Sequence, residues 1–129
     1  MARTDRPAFI DARLVLRIAL IATIVQVALE AAGRVFPVLA GLGLVFGRMM
    51  ISATAGYVYG LILGGGYAAG AVGGAIAGGL CVVPALALGA LLGNIEGGMV
   101  ATNAAISVLT GAVGGAFGQM GAILRKLGL

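Results

Sequence analysis

The longest uncharged stretch in the chain is the feature that most limits its fold. No Asp, Glu, Lys or Arg occurs from Met49 to Ile95, a run of 47 residues. Since about 20 consecutive apolar residues form one transmembrane helix, this run is long enough for two. A second uncharged run of 28 residues, from Gly97 to Leu124, provides another. We therefore expect an all-α protein, a small multi-span membrane protein of three to four helices.

The composition excludes an ordinary soluble domain. The 129 residues are 61% hydrophobic and 9% charged, whereas soluble domains have about 25% charged residues. Eight basic and four acidic side chains are too few to cover a folded surface of this size, so most of the surface must face lipid or other copies of the chain. The chain has no His and one cysteine, Cys81, so a soft metal site is not expected. We expect no cofactor.

We interpret the chain as a single membrane domain, 1–129, in four segments: 1–34, 35–66, 67–92 and 97–124. The triple glycine 64–66 is a natural break between the second segment and the third. Three tyrosines bracket this break, as aromatic residues do at a membrane interface; they are Tyr57, Tyr59 and Tyr67.

The first segment allows three interpretations. Its apolar centre, 18–25, is flanked by charges, and four polar residues gather on one side of a helix at 100° per residue: Thr23, Gln26, Glu30 and Arg34. The segment is either a first transmembrane helix with an inward polar face or a basic amphipathic helix at the interface. A basic start and small residues near position 31 also suit a signal peptide.

Basic residues near the two termini predict the orientation. They are Arg3, Arg6, Arg13 and Arg17 at one end, and Arg125 with Lys126 at the other. Cytoplasmic flanks carry an excess of Lys and Arg, so both termini are expected to be cytoplasmic, which requires an even number of spans. Four spans fit, although Arg34 and Arg48 then lie on the opposite side.

Arg48, Glu30 and Arg34 are the candidate functional charges. Arg48 is flanked by apolar residues on both sides in the sequence. A charge inside a transmembrane helix is costly unless it meets water or a partner. It either extends to the lipid headgroups, lines an aqueous lumen, or pairs with Glu30 or Glu96. Glu30 is the only acidic residue inside a plausible span. It is a candidate coupling carboxylate, or a helix-end charge paired with Arg34 four residues on.

The glycines recur at helical spacing. Of the 24 glycines, ten pairs are four residues apart and only four pairs are three apart. Such stripes let helices approach closely in lipid, where no hydrophobic force drives association. We expect glycine-zipper helices packed through Gly56, Gly60, Gly64, Gly66, Gly70, Gly74, Gly78, Gly89, Gly93, Gly97, Gly111 and Gly115. The stripes close either within one chain or between copies, and we favour a homo-oligomer.

Motifs for enzymatic chemistry are lacking. The glycine-rich "GGGYAAGAVGG" at 64–74 is not followed by the "GK[ST]" of a phosphate loop. The Ser and Thr residues have no neighbouring base in the sequence. We expect a protein that is not an enzyme and does not bind nucleic acid sequence-specifically, with membrane lipid as a partner.

The stretch "LAGLGLVFGRMMISATAGYVYGLILGGG" at 39–66 resembles the conjugative-type pilins of type IV secretion systems, the VirB2/TrbC family. The resemblance implies a structural subunit stored in the membrane and extruded as a helical polymer, a surface filament. It also implies that Arg48 faces the lumen of the tube beside bound lipid. The chain departs from that pattern in its length and in an additional glycine-rich hairpin after Gly66.

Two other functions suit the same residues. One is an oligomeric pore or holin-like channel, with Gln26, Glu30 and Arg48 lining a water path. The other is a small proton-coupled transporter in which Glu30 is the coupling carboxylate, because proton-coupled carriers require an acidic group within the membrane.

Overall fold

The computed structural model of the chain describes residues 9–93 and 95–129. Within these residues the chain is helical and contains no strand. The elements are α1 (Ala12–Val35), α2 (Leu42–Leu63), α3 (Tyr67–Leu91) and α4 (Val100–Lys126), with single 3₁₀ turns at Pro37–Leu39 and Gly97–Met99. Arg3 and Arg6, which contributed to the predicted orientation, lie outside the described residues.

All four helices are long and apolar enough to cross a membrane. This confirms the predicted class, an all-α protein with several transmembrane helices. The first segment, for which the sequence left three interpretations, contains a continuous helix of 24 residues. At 1.5 Å per residue α1 is about 36 Å long, enough to cross a bilayer core of about 30 Å.

Local chemistry explains where the helices begin and end. Asp11 caps α1, because its side chain accepts a hydrogen bond from the backbone N–H of Leu14 at 3.1 Å. The turn between α2 and α3 requires glycine, since Gly64 has a φ of 59° and Gly66 a φ of 114°, values that other residues rarely adopt. The predicted break at the triple glycine is therefore the turn of a helical hairpin.

Helices α2, α3 and α4 pack together through glycine. A Cβ on Gly56 in α2 would collide with the backbone carbonyl of Gly111 in α4, and a Cβ on Gly60 would collide with that of Gly115. A Cβ on Gly70 of α3 would lie only 2.7 Å from the same Gly115 carbonyl oxygen. This register makes α2 parallel and α3 antiparallel to α4. The three helices thus touch at backbone distance.

Helix α1 packs differently, through side chains. It lies against α2 and α3. Leu44 of α2 fills the space over Gly33, and Leu29 of α1 covers Gly47. At the other end of α1, the backbone N–H of Asp11 donates to the Tyr59 hydroxyl at 3.2 Å. The bundle is therefore a backbone-packed unit of three helices to which α1 is attached by side-chain contacts.

The twelve glycines predicted for helix packing divide into two groups. Eight would place a Cβ closer than 3.0 Å to another helix: Gly56, Gly60, Gly70, Gly74, Gly78, Gly89, Gly111 and Gly115. The other four, Gly64, Gly66, Gly93 and Gly97, lie outside these close contacts, and the first three have positive φ values at helix ends. Their role is in the turns, which the i,i+4 spacing alone does not reveal.

Candidate functional site: a buried polar centre

The centre of the site is an ion pair between α1 and α2. Glu30 is 0% exposed and Arg48 is 3% exposed. The Nε and Nη2 atoms of Arg48 both contact Oε1 of Glu30. Glu30 lies near the end of α1 and Arg48 near the start of α2, so the hairpin brings together two charges 18 residues apart. The carboxylate and the guanidinium neutralise each other inside the bundle.

Helices α3 and α4 complete the surroundings of this pair. Asn103 of α4 accepts from Nη1 of Arg48 at 3.5 Å, and its own amide donates to the Met99 carbonyl at 2.9 Å. On α3, a Cβ at Gly89 would lie 2.8 Å from Oε2 of Glu30 and 3.4 Å from Nη2 of Arg48. All four helices therefore contribute to one polar centre, and glycine at position 89 leaves room for the charged side chains.

A second polar layer lies deeper in the bundle. The amide nitrogen of Gln26 is 3.3 Å from the Ser52 hydroxyl and 3.4 Å from the Cys81 sulfur. Ser52 and Cys81 both donate to the Gly78 carbonyl, at 3.5 and 3.2 Å. Gln26, Ser52 and Cys81 are each 0% exposed. We call Glu30, Arg48 and Asn103 the charged layer, and Gln26, Ser52 and Cys81 the neutral layer.

The two layers have different depths in the membrane-spanning bundle. Arg48 is six residues and Ser52 ten residues after the start of α2 at Leu42. These offsets correspond to about 9 and 15 Å along the helix. With a bilayer core of about 30 Å, the neutral layer lies near the middle and the charged layer nearer to the face at which α1 ends and α2 begins.

The structure separates the three predicted charges. It brings Glu30 and Arg48 together, while Arg34 is exposed at the end of α1. Arg48 is 3% exposed and lies inside the bundle, against Glu30, and not on its outer surface. Of the two carboxylates considered as its partner, it contacts Glu30, whereas Glu96 is exposed in the connection between α3 and α4.

Sequence reasoning did not single out Asn103 and Ser52 as part of a site. A signal was present, because the pattern I-S-x-x-x-G-x-V-x-G occurs at 51–60 and again at 106–115, 55 residues later. Arg48 lies four residues before the Ser of the first copy, and Asn103 lies four residues before the Ser of the second copy. The repeat therefore marks the equivalent faces of α2 and α4, and these faces meet in the bundle.

Comparison of the chain with family models, with curated proteins and with solved structures finds no match. The fold and the site therefore define the class: an integral membrane protein, a bundle of four candidate transmembrane helices around a buried acid–base pair. Chemically, this centre combines a carboxylate, a guanidinium and a carboxamide in hydrogen-bond contact inside the bundle.

Proposed function

We propose that the chain is a small membrane carrier in which Glu30, opposite Arg48, binds and releases the coupling proton. The observation that supports this proposal is the burial of both charges inside a bundle of candidate spans. An ionisable side chain at membrane depth costs about 2.5–3.5 kcal/mol or more, and such residues commonly mark ion or proton pathways.

Stability alone is a poor explanation for the pair. Removing two charges from water costs several kcal/mol for each, and apolar residues of similar size often stabilise a protein as well or better. A carboxylate that must change partners during a transport cycle, by contrast, needs a counter-ion in the resting state. Arg48 supplies that counter-ion, and Asn103 holds the guanidinium in place.

The two kinds of helix packing favour a moving element. Glu30 is on α1, which is attached by side chains, whereas Arg48 and Asn103 are on the helices that touch backbone to backbone. A shift of α1 against the other three helices separates the carboxylate from the guanidinium without opening the glycine contacts. Two arrangements of one interface are what a carrier requires.

A carrier suits the geometry better than a pore within one chain. Helices α2, α3 and α4 are in backbone contact at Gly56, Gly74 and Gly115, which leaves no lumen between them. The same contacts occupy glycine faces that other copies would otherwise use. Self-assembly into a pilus-like polymer, which the resemblance implies, stays a prediction, and it now depends on the exposed apolar faces of the bundle rather than on these glycines.

We also propose that both termini are cytoplasmic. Exposed basic residues flank the start of α1 and the end of α4, at one end of the bundle: Arg13, Arg17, Arg125 and Lys126. Among the described residues, the opposite end has exposed Arg34 at the end of α1 and exposed Glu96 in the connection between α3 and α4. The excess of positive charge favours a cytoplasmic location for the first end. The charged layer then lies nearer to the outer face.

The test is transport by the purified protein in liposomes. Internal pH is followed with a trapped dye while gradients of Na⁺, K⁺, Cl⁻ and a panel of small organic solutes are imposed. We expect one of these gradients to drive proton movement, and Glu30→Gln to abolish it. Glu96→Gln, the same chemical change at an exposed position, is the matched control and should retain the flux. Absence of proton movement with every probe, or full flux in Glu30→Gln, would refute the proposal.

A further inference from the structure

An apolar groove lies between α1 and α2 on the outer surface of the bundle. Its volume is about 300 Å³, within the range of about 300–1,000 Å³ that is typical of ligand pockets. The lining is apolar except for Thr54, and the hydroxyl of Thr54 donates to the Met50 carbonyl of its own helix at 2.7 Å. The lining side chains therefore favour a hydrocarbon ligand over a polar one.

The lining also favours a flexible chain over another helix. Helices associate in lipid through small residues that let their backbones approach. Two other apolar grooves on the bundle contain such a residue, Gly79 in one and Gly114 in the other. The groove between α1 and α2 contains no glycine, its alanines are buried, and large exposed side chains such as Ile21 and Met50 keep a neighbouring helix at a distance.

A second cavity follows the groove towards the end of the bundle at which α1 begins. Its volume is about 650 Å³, and Arg13, Leu14 and Ile62 are among the residues that line it. Leu14 is one turn before Ile18 of the groove, and Ile62 is one turn after Val58 of the groove. The two cavities therefore succeed one another along the same pair of helices.

The charge at this end suits an anion. Arg13 lines the second cavity, and exposed Arg17 is one helical turn before Ile21 of the groove. Asp11 lines the same cavity, and its carboxylate accepts the backbone N–H of Leu14 at 3.1 Å. Two guanidinium groups against one carboxylate leave a net positive charge beside the entrance to the groove.

We propose that the groove between α1 and α2 binds one anionic phospholipid, with an acyl chain between the helices and the headgroup at Arg13 and Arg17. The depths agree with this arrangement. Ile18 and Val25 of the groove are six and thirteen residues after the start of α1 at Ala12, or about 9 and 20 Å along the helix. The chains of one leaflet occupy about 15 Å, half of the bilayer core. The site lies outside the charged and neutral layers, so it does not depend on the proposed carrier.

Quenching of an introduced tryptophan tests the proposal, because the chain has no tryptophan of its own. Met50→Trp places the reporter in the groove, with Val25→Trp on the opposite wall as a second reporter. Leu109→Trp is the matched control on the surface of α4. Met50 and Leu109 are both 66% exposed, and they lie eight and nine residues after the starts of the parallel helices α2 and α4. The full chain is reconstituted in vesicles of equal phosphatidylglycerol and phosphatidylcholine, and one of the two lipids carries bromine, a quencher, on its acyl chains.

The expected result is a preference for the anionic lipid at the groove alone. Brominated phosphatidylglycerol should quench Met50→Trp more than brominated phosphatidylcholine does, by roughly twofold or more, since basic residues at a membrane surface attract anionic lipids. The two lipids should quench Leu109→Trp nearly equally. Adding Arg13→Gln and Arg17→Gln to Met50→Trp should remove the preference. Arg34→Gln, the same change at an exposed position at the other end of α1, should leave it intact.

Three outcomes overturn the proposal. One is equal quenching by the two lipids at both groove reporters. Another is weak quenching by either lipid at these reporters together with normal quenching at Leu109→Trp, which shows that protein, such as a second copy of the chain, fills the groove. The third is a preference that survives Arg13→Gln with Arg17→Gln, which places the headgroup elsewhere. Proton transport is not measured in this assay, so failure of the carrier leaves the result unaffected.

Discussion

Gly115 is the position at which a single methyl group should be least tolerated. A Cβ there would be directed at the carbonyl of Gly70, only 2.6 Å from its carbonyl carbon and 3.2 Å from the nitrogen of Ala71. Carbon atoms in contact are optimally about 3.5 Å apart or more. Because the obstructing atoms belong to backbone, no side-chain rotation relieves the clash. Helix α3 must move away from α4 by about 0.9 Å or more.

The size of the effect follows from this displacement. Overpacking a well-packed interior costs about 1–3 kcal/mol, and for a chain of this length each kcal/mol lowers the melting temperature by about 4 °C. Alanine is a better helix former than glycine by about 1 kcal/mol, which partly masks the clash. A control at another helical glycine is therefore needed to isolate the steric cost.

Gly121→Ala is that control, because it lies in the same helix and gains the same helix propensity. Its Cβ would meet only side-chain atoms, the Tyr57 hydroxyl at 3.1 Å and Leu61 Cδ1 at 3.3 Å, and these can move. Unfolding is followed with a maleimide dye that fluoresces on reacting with Cys81, which is 0% exposed in the folded chain. We expect Gly115→Ala to melt roughly 4–12 °C below Gly121→Ala. Equal melting temperatures would show that α3 and α4 do not touch at Gly115.

Two further predictions use the same assay. Arg48→Gln leaves the Glu30 carboxylate buried without its counter-ion and should lower the free energy of unfolding by about 3–5 kcal/mol. The control Arg34→Gln, at an exposed site, should change the free energy of unfolding little. Adding Glu30→Gln to Arg48→Gln should restore part of the loss, unless the two charges are independent. Tyr59→Phe removes the acceptor for the Asp11 backbone N–H and should lower the free energy of unfolding by about 1 kcal/mol. The control Tyr57→Phe, at a half-exposed tyrosine, should leave it nearly unchanged. Equal effects of the two substitutions would argue against the anchoring of α1 by Tyr59.

The helices were predictable because their signal is local. A long uncharged run and a triple glycine determine where α2 ends and α3 begins, and no knowledge of packing is needed. The tyrosines show where local reasoning stops. Tyr57, Tyr59 and Tyr67 all suggest a membrane interface, but Tyr59 is 0% exposed, with its ring against the space left by Gly73. Only the packing of α2 on α3 distinguishes it from the other two.

The ion pair was predictable only as one of several choices. The sequence offers Arg48 two carboxylates, Glu30 and Glu96, and their spacing in the chain does not favour either. The packing of α1 on α2 makes the choice, because it places Glu30 against Arg48 while Glu96 stays exposed. Glycine spacing has the same limit, because an i,i+4 stripe indicates a groove but not the helix that fills it. Gly56 meets Gly111 because two helices with the same repeated pattern lie side by side.

The distribution of glycine among the helices connects the fold with the proposed carrier. Helix α1 contains one glycine, Gly33, whereas α2, α3 and α4 contain four, six and five. Glycine permits backbone contact, and backbone contact is difficult to rearrange because no side chain can rotate out of the way. The helix with the fewest glycines is also the one that carries Glu30. The carboxylate proposed to exchange partners is therefore on a helix that packs through side chains, which can rotate, and a glycine stripe introduced into α1 would oppose that change.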